Sequence, residues 1–562
     1  TCFFALSKLI PEEAAVSKIK EYICSSYGRR GETIVSMNQE AVDSAIKNLH
    51  QLQIPEQPSN AFDLREAVSS DATSFVKFNT ARILRGRGDE LPVSAFNADG
   101  TFPSATSKYL KRGISAQIPV WEPQLCIQCG KCSFLCPHAV VRAKVYENAD
   151  LTGAPESFQS VPARHPSLKG QYYTIAVSPQ DCTGCRVCVE VCPGKDRKEP
   201  KVKALNMKPK DPLLQSGERN WEFFLNLPQY DRSVSTMREL QFVTPLFEFS
   251  GACAGCGETP YLTLLSRLFG DHALIANATG CSSIYGGNEP VTPWAINKEG
   301  KGPAWSNSLF EDNAEFGLGF RIAIDKQIDQ CKELLYKLEP QIGKELVEAL
   351  IKADQNSTEE IDQQRNRVTA LRQRLKQIDN KDAGDLLALS DALIKKSIWL
   401  VGGDGWAYDI GFGGLDHVFS MGRKVNILVM DTEMYSNTGG QMSKATPPGA
   451  VAKFAAAGKS SGKKDLVMMA MSYGSVYVAR VAMGADQAQA IKAFREADQY
   501  EGTSLIVAYA QCIGQGFDLV HGNAQQHLAV ESGYWPLLRY DPRLQREGKN
   551  PLQLDSRAPS VP

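Results

Sequence analysis

The sequence predicts a multidomain α/β protein in which a large sheet-and-helix domain carries a small cysteine-rich α+β insert. Three observations carry that expectation. The chain has 562 residues, which at roughly 100–200 residues per domain allows three to five domains. Two apolar strand-like runs, one ending at Gly402-Gly-Asp-Gly405 and one ending at Asp431, are joined by a helix-length segment, the pattern of a βαβ unit. Eight of the fifteen cysteines fall in two tight runs between residues 126 and 192. The remaining composition is ordinary for a globular protein, with 43% apolar and 22% charged residues. Lys+Arg (62) and Asp+Glu (63) nearly balance, which argues against a nucleic-acid-coating protein. No stretch approaches the roughly 20 apolar residues of a membrane span, and Thr1–Leu6 lacks the features of a signal peptide. The Thr start and the polar tail read as the ends of a piece of something longer.

The cysteine runs are the strongest signal. Cys126, Cys129, Cys132 and Cys136 read C-x2-C-x2-C-x3-C and are followed by Pro137; Cys182, Cys185, Cys188 and Cys192 repeat the spacing and are followed by Pro193. Cysteines so close make poor disulfide partners but can aim several thiolates at one cluster. The spacing is that of two-cluster ferredoxins, in which the fourth cysteine of each run serves the other cluster. Cys126, Cys129, Cys132 and Cys192 are therefore assigned to one [4Fe–4S] cluster, and Cys182, Cys185, Cys188 and Cys136 to a second. A pair of zinc knuckles is the competing reading, but it does not call for the trailing prolines. Gly130 and Gly184 suit a tight loop whose N–H groups approach sulfur. Cys253 and Cys256 form a further C-x2-C, and two ligands are not four. Cys281, Cys331 and Cys512 are the candidates to complete the set, and spacing does not choose among them. Cys2, Cys24 and Cys331 read as small hydrophobes.

The βαβ unit points to a second chemistry. Ligands of such sheets bind beyond the carboxyl ends of the strands, and both loops lie there. Asp404 offers a carboxylate, Thr432 a hydroxyl and the second loop a backbone carbonyl, the oxygen donors that Mg²⁺ takes together with a diphosphate. Glycines 402, 403 and 405 let the backbone approach phosphate. The arrangement resembles the thiamine-diphosphate motif. That cofactor adds to a 2-oxo acid and holds the electrons left when CO₂ departs, and clusters accept them singly.

These motifs together resemble pyruvate:ferredoxin (flavodoxin) oxidoreductases, or pyruvate synthases, and specifically their C-terminal half. The resemblance covers nearly all of the chain. It rests on Leu91–Phe96, Lys111-Arg112, both cysteine runs, Gly251-Ala-Cys-Ala-Gly-Cys-Gly-Glu258 and Asn277–Gly287. It continues through Gly403-Asp-Gly-Trp-Ala-Tyr-Asp-Ile-Gly411 and Tyr435-Ser-Asn-Thr-Gly-Gly-Gln441. The resemblance implies that Cys253, Cys256, Cys281 and Cys512 hold a third [4Fe–4S] cluster. It implies that Asp404, Thr432 and the carbonyl of Met434, where many relatives have Val, hold Mg²⁺. Glu258 and Cys281 match thiamine-diphosphate contacts, as do the two loops Gly403, Asp404, Gly405, Trp406 and Thr432, Glu433, Met434, Tyr435, Ser436; Asn437 matches a catalytic asparagine. The implied activity is coenzyme A-dependent oxidative decarboxylation of pyruvate to acetyl-CoA, with ferredoxin or flavodoxin as electron acceptor. An N-terminal half carrying the pyrimidine- and pyruvate-binding groups is expected as a covalent neighbour or a separate subunit. The resemblance further implies a homodimer of the complete protein, and the clusters imply a cytoplasmic or reducing organelle compartment and anaerobic metabolism.

The expected domains follow in order. Residues 1–68 resemble the end of a coenzyme A-associated α/β domain, closed by a helix over Ala41–Leu49, with Asn38 as a coenzyme A contact. Gln53–Asn60 reads as a linker. Residues 69–109 match a small connecting domain, and residues 110–226 the ferredoxin-like 2[4Fe–4S] domain, whose Lys- and Pro-rich tail Lys195–Lys210 runs over the surface. Residues 227–562 form the thiamine-diphosphate domain, with a helical insertion over about 318–396 expected to be a pair of antiparallel surface helices. The seven histidines show no paired spacing and read as structural. Three other functions fit the residues: an oxidoreductase for another 2-oxo acid, the core of a pyruvate:NADP oxidoreductase fusion, and an electron-transfer module alone. The intact Asp404/Thr432 loop pair and Glu258 speak against the last.

Overall fold

The computed structural model describes residues 1–56, 66–230, 234, 236–287 and 290–560. It divides into two units, Thr1–Arg65 and Glu66–Pro562. The described part of the first unit is helical, with helices over Cys2–Ser7, Glu12–Tyr27 and Glu32–Lys47. The last of these starts nine residues before the expected Ala41 because Gly31, at φ 100, gives a sharp entry for a helix whose first residue is Glu32. The second half of the expected linker lies outside the described residues.

The second unit opens with short helical turns over 76–95, and Val68, Ala72, Val76 and Ala81 form a small core of their own. These residues rest on the loop at 290–295: Thr80 Oγ1 donates to Pro290 O at 3.1 Å and Ala105 N to Trp294 O at 2.7 Å. The cysteine-rich region follows. Strand β1 (Gln117–Trp121) pairs antiparallel with β5 (Leu205–Pro209), and β2 (Val141–Tyr146), β3 (Val161–Pro162) and β4 (Tyr172–Val177) form a second sheet in the order β2-β4-β3. The helix Leu214–Asn226 turns Trp221 and Phe224 into the core that also contains Cys126, Cys132, Cys136, Cys182 and Cys188. Part of the lysine-rich tail is thus strand β5.

The rest of the unit is built on one eight-stranded sheet. Its strands are β6 (Ala273–Asn277), β7 (Ala304–Asn307), β8 (Ser397–Gly403), β9 (Asn426–Asp431), β10 (Tyr477–Val481), β11 (Ser504–Tyr509), β12 (Leu538–Tyr540) and β13 (Leu552–Leu554), in the order β13-β12-β10-β11-β9-β8-β6-β7. The run from β10 to β7 is parallel, and β12 and β13 add antiparallel at one edge. Strands β9 and β11 are buried at every residue and β8 at all but its last, as a parallel sheet covered on both faces requires. One core lies on each face: Trp399, Phe494 and Leu265 on one side, Leu400, Phe419 and Val507 on the other.

The helical insertion differs from the expected pair. The 25-residue helix Asn313–Lys337 begins against the sheet and leads into four more helices, Glu339–Ile342, Lys344–Ile351, Thr358–Leu375 and Lys381–Leu389. The second arm is broken by Gly343, at φ 96, and restarted by a capping box in which Ser357 and Glu360 satisfy each other's backbone N–H groups. These helices enclose their own core around Leu335, Val347, Leu371 and Leu386.

Candidate active site and electron path

Two rings of four cysteines lie in the cysteine-rich region. Cys126, Cys129, Cys132 and Cys192 line one cavity, with Trp121, Tyr173 and Pro193. Cys136, Cys182, Cys185 and Cys188 line another, with Pro119, Pro137 and Met207. Each ring therefore takes three thiols from one run and the fourth from the other. The two runs follow the same backbone path. Gln128 and Gly184, two residues after the first cysteine, have φ 56 and 68; Gly130 and Arg186, two residues further, have φ 78 and 66. This left-handed path turns the N–H of Gln128 onto Cys126 Sγ and that of Gly184 onto Cys182 Sγ, both at 3.4 Å. Gln128 tolerates its conformation because its amide is tied into the fold: Nε2 donates to Pro162 O at 3.0 Å, and Oε1 accepts from Arg164 N at 2.8 Å. Burial pushes the Cys182 and Cys185 thiols up to about 12 and about 11, so they ionise only against a compensating cation. Among the described residues, no three His, Cys, Asp or Glu side chains close on a point tightly enough for one ion, and each ring surrounds a cavity instead.

The second assembly stands at the carboxyl edge of the large sheet. Strands β6, β8, β9 and β11 are neighbours, and register sets Asn277 beside Val401, Gly403 beside Met430 and Asp431 beside Tyr509. The residues that follow these strands thus emerge side by side: Cys281 after β6, Asp404 after β8, Thr432 after β9 and Cys512 after β11. Asp404 is fully buried. Its Oδ1 accepts from Thr432 N at 3.1 Å and from Thr432 Oγ1 at 3.0 Å, its Oδ2 accepts from Ser443 Oγ, and Thr432 Oγ1 lies 3.1 Å from Met434 O. A carboxylate, a hydroxyl and a carbonyl so converge, an oxygen donor set of the kind Mg²⁺ takes. Burial and then the charge of Asp431 hold the Asp404 carboxyl well above the usual carboxylate range. Gly405 leaves room for the Tyr435 ring, since a Cβ there would stand 2.5 Å from it.

Cys253, Cys256, Cys281 and Cys512 meet beside this loop. The Cys281 thiol is pushed up by burial, then by the Glu258 carboxylate and by Cys256, Cys512 and Cys253 in turn, so all four groups lie within electrostatic reach of it. Gly257 explains the approach: its N donates to Gln511 O at 3.2 Å, and a Cβ there would lie 2.5 Å from Gln511 N. Ser436 stands between the two groups: its Oγ is 2.7 Å from Thr432 Oγ1, and its hydroxyl offsets part of the burial that pushes the Cys512 thiol up. Cys331 lies elsewhere, in the helical insertion, with Sγ 3.3 Å from Leu389 O. The loop between Cys253 and Cys256 comes near one ring: the Gly255 N–H slightly offsets the burial that pushes the Cys185 thiol up. Glu258 is buried, accepts from Tyr285 OH at 2.8 Å, and is raised by burial to about 7.

The remaining expected site residues are placed less directly. Trp406 is buried in the core on one face of the sheet. Glu433, at φ 63, turns its carboxylate away to Lys463 Nζ at 2.9 Å and to Tyr534 OH. Asn437 is exposed at the tip of its turn. In the first unit, Asn38 Nδ2 donates to Ile34 O of its own helix at 2.8 Å. Sequence reasoning missed Ser443 and the buried group around Asp431, in which Lys463 Nζ lies 2.9 Å from Asp431 Oδ2 and Tyr408 OH donates to the same oxygen at 2.8 Å. No local pattern in the sequence marks these residues.

The molecule thus combines an oxygen-donor loop at a parallel-sheet edge with rings of four cysteines. The family described as "Thiamine pyrophosphate enzyme, C-terminal TPP binding domain" matches residues 387–508, "4Fe-4S dicluster domain" matches 125–195, and a domain of unknown function matches 61–115. A putative pyruvate-flavodoxin oxidoreductase from Synechocystis is 54% identical over all of this chain and 47% of its own length. The pyruvate:ferredoxin oxidoreductase of Moorella thermoacetica is 48% identical over all of this chain and 48% of its own. A solved 2-oxoglutarate:ferredoxin oxidoreductase from Magnetococcus marinus aligns with 60% of this chain and 87% of its own at 15% identity and TM-score 0.31, too distant to bear on the site. Over its full length the chain is similar to pyruvate-flavodoxin and pyruvate:ferredoxin oxidoreductases, and it spans about half the length of the curated relatives it matches.

Proposed function

We propose that the chain is the C-terminal half of an enzyme that oxidatively decarboxylates pyruvate to acetyl-CoA and CO₂ and delivers the electrons to ferredoxin or flavodoxin. The observation that carries this reading is the meeting, on one sheet edge, of the Asp404/Thr432/Met434 oxygen set with Cys253, Cys256, Cys281 and Cys512, with Ser436 between them. When bound, thiamine diphosphate supplies a carbon nucleophile and an electron sink for 2-oxo acid decarboxylation, and [4Fe–4S] clusters supply one-electron carriers.

In this reading Asp404, Thr432 and the Met434 carbonyl hold Mg²⁺ against the diphosphate, with Gly403 and Gly405 giving the backbone access. Ser436 and Ser443 fix the hydroxyl and carboxylate in place. Glu258, raised to about 7, keeps a share of its proton at neutral pH and presents a less charged face to the cofactor than an ordinary glutamate would. Cys253, Cys256, Cys281 and Cys512 hold the cluster nearest the cofactor. Cys136, Cys182, Cys185 and Cys188 would hold a second cluster and Cys126, Cys129, Cys132 and Cys192 a third, each supplying a one-electron carrier. The remaining half, with its substrate- and pyrimidine-binding groups, and a homodimer of the whole belong to the same proposal. Asn437, exposed on its turn, faces that half for its catalytic role, and Asn38 serves coenzyme A. Oxygen-sensitive clusters fit a reducing compartment; among the described residues no helix is long and apolar enough to cross a membrane.

The test is anaerobic EPR on the full-length protein before and after pyruvate, then coenzyme A. The expected result is an organic radical with reduced [4Fe–4S] signals that grow when coenzyme A is added. Clusters that dithionite reduces and pyruvate does not would transfer the reading to another 2-oxo acid. Absence of bound thiamine diphosphate would reduce the chain to an electron-transfer module.

A further inference from the structure

Arg267 stands out among the charged residues that the proposed mechanism does not use. It lies on the helix Thr259–Phe269 and is 5% exposed. One guanidinium nitrogen donates to the carbonyls of Leu240 (3.1 Å), Gln241 (2.9 Å) and Val243; the other donates to Ser133 Oγ at 2.9 Å. The guanidinium also stands over the Phe134 ring, 5.6 Å from its centroid. Nε has no partner. Among the described residues no carboxylate answers this charge; the charged neighbours are Arg142, which is paired with Glu248, and Cys136. Burial accordingly pushes the guanidinium down to about 9.

A buried cation without a counter-ion is costly, and natural proteins rarely keep one without a compensating charge. The compensation is in view. Ser133, which Arg267 grips, lies between Cys132 and Cys136 on the short helix Lys131–Phe134, and Cys136 is the thiol within electrostatic reach of the guanidinium. Four thiolates around an iron–sulfur cluster leave a net negative charge that grows by one on reduction. A fixed cation inside the protein favours the reduced form, because little water intervenes to screen it.

We propose that Arg267 is the built-in counter-charge of the iron–sulfur centre held by Cys136, Cys182, Cys185 and Cys188, and that it holds the reduction potential of that centre up. The inference rests on the reading of the cysteine rings given above. In the step concerned the centre gains one electron, its neighbour loses one, and no proton moves. Arg267 is a positioning residue in this sense: it touches no substrate and sets the level at which that centre accepts an electron.

The test is anaerobic redox titration of the full-length protein, following each reduced centre by EPR. Arg267→Gln removes the charge, and the reduction equilibrium of the Cys136 centre is expected to fall about tenfold, ~59 mV for a one-electron couple, with a smaller shift in the other ring. Arg267→Lys keeps the charge while losing most of the hydrogen bonds, and its potentials are expected close to those of the unaltered protein. A Gln variant with full iron and unshifted potentials overturns the proposal, as does a Lys variant shifted as far as the Gln variant. If the Gln variant does not retain iron, Thr263→Asp provides the second reading. Thr263 is buried one turn earlier on the same helix, with an unpartnered hydroxyl, so an aspartate there neutralises Arg267 and leaves it in place. The same downward shift supports the proposal and no shift overturns it. If the unaltered protein shows no reducible centre in this region, the cysteine-ring reading fails and this inference fails with it.

Discussion

The cysteine-rich region and the sheet edge build cysteine assemblies in opposite ways. In the first, all eight thiols come from 67 residues of chain, Cys126 through Cys192, and each ring borrows one thiol across a pair of short runs. In the second, strand register brings Cys281 and Cys512 together, the Cys253–Cys256 loop packs in at Gly257, and the same register assembles the oxygen-donor loop from Asp404 and Thr432. A site made by local loops depends on its own backbone turns. A site made by a sheet depends on every neighbouring strand keeping its place, and a single substitution there should disturb cofactor and cluster together or separately according to which strand end it touches.

The largest separation is expected from Asp404→Ala. It removes a carboxylate at the end of β8 and leaves every cysteine untouched. Thiamine-diphosphate affinity should fall by about 100-fold or more, beyond the ~10–100-fold typical of residues that only support a metal ligand, while iron content stays at its original value. Titration of the cofactor by fluorescence and an iron assay measure both. Undiminished affinity would remove Asp404 from the cation site.

Within the cysteine-rich region the crossed rings make a sharper claim. Cys136→Ser should abolish the same EPR signal as Cys185→Ser, although Cys136 belongs to the other run; Cys192→Ser should match Cys129→Ser. A Cys136 variant that behaves like the Cys129 variant would show that each run closes on itself.

The contrast also explains what could be read from the sequence. The C-x2-C-x2-C-x3-C-P spacing states its own geometry, so both rings were legible down to the exchanged fourth cysteine. The left-handed turns at Gln128 and Arg186 were not, because a non-glycine residue at positive φ is held there by contacts distant in sequence, such as Gln128 to Pro162 and Arg164. The βαβ unit and its two loops were legible from apolar strand runs and glycines. The choice among Cys281, Cys331 and Cys512 was open at the level of spacing, since it is decided by strand order, and strand order is a long-range property. Arg267, Lys463 and Ser443 carried no local signal at all: their significance lies in what they touch. The apolar periodicity of the helical insertion is continuous enough to suggest a pair of helices, and Gly343 and the Ser357 capping box divide it further.

A smaller effect is expected from Gly257→Ala. The added Cβ has no room against the Gln511 backbone, so the Cys253–Cys256 loop must move off the strand end that carries Cys512. Overpacking of this kind costs about 1–3 kcal/mol. The expected outcome is loss of the sheet-edge cluster with both cysteine-rich centres retained, measured as iron per chain and as the missing EPR component. Retention of all three would mean that the loop tolerates the added methyl and that Gly257 is not what seats Cys253 and Cys256.

The smallest effect tests a part of the fold that belongs to neither assembly. Asp271 joins the helical insertion to the sheet: its carboxylate lies 2.8 Å from Arg365 Nη1 and 2.6 Å from His272 Nδ1. Burial alone would raise this carboxyl, but the hydrogen bond and charge of His272 and the Arg365 guanidinium outweigh burial and hold it at about 2. A carboxylate depressed below its ordinary value near 3.8 binds fewer protons folded than unfolded. Its contribution is therefore complete above about pH 4 and is lost as the pH falls toward 2. At ~1.4 kcal/mol per unit the contribution is about 2 kcal/mol, less some screening at its partly exposed edge. Asp271→Asn should lower the urea midpoint of unfolding at pH 7 and leave progressively less difference from the unaltered protein as the pH is taken below 4. Cofactor affinity and the three EPR signals should not change. If they do, the sheet edge is coupled to the insertion, and the division of the molecule into locally built and register-built sites has to include the helices behind the sheet.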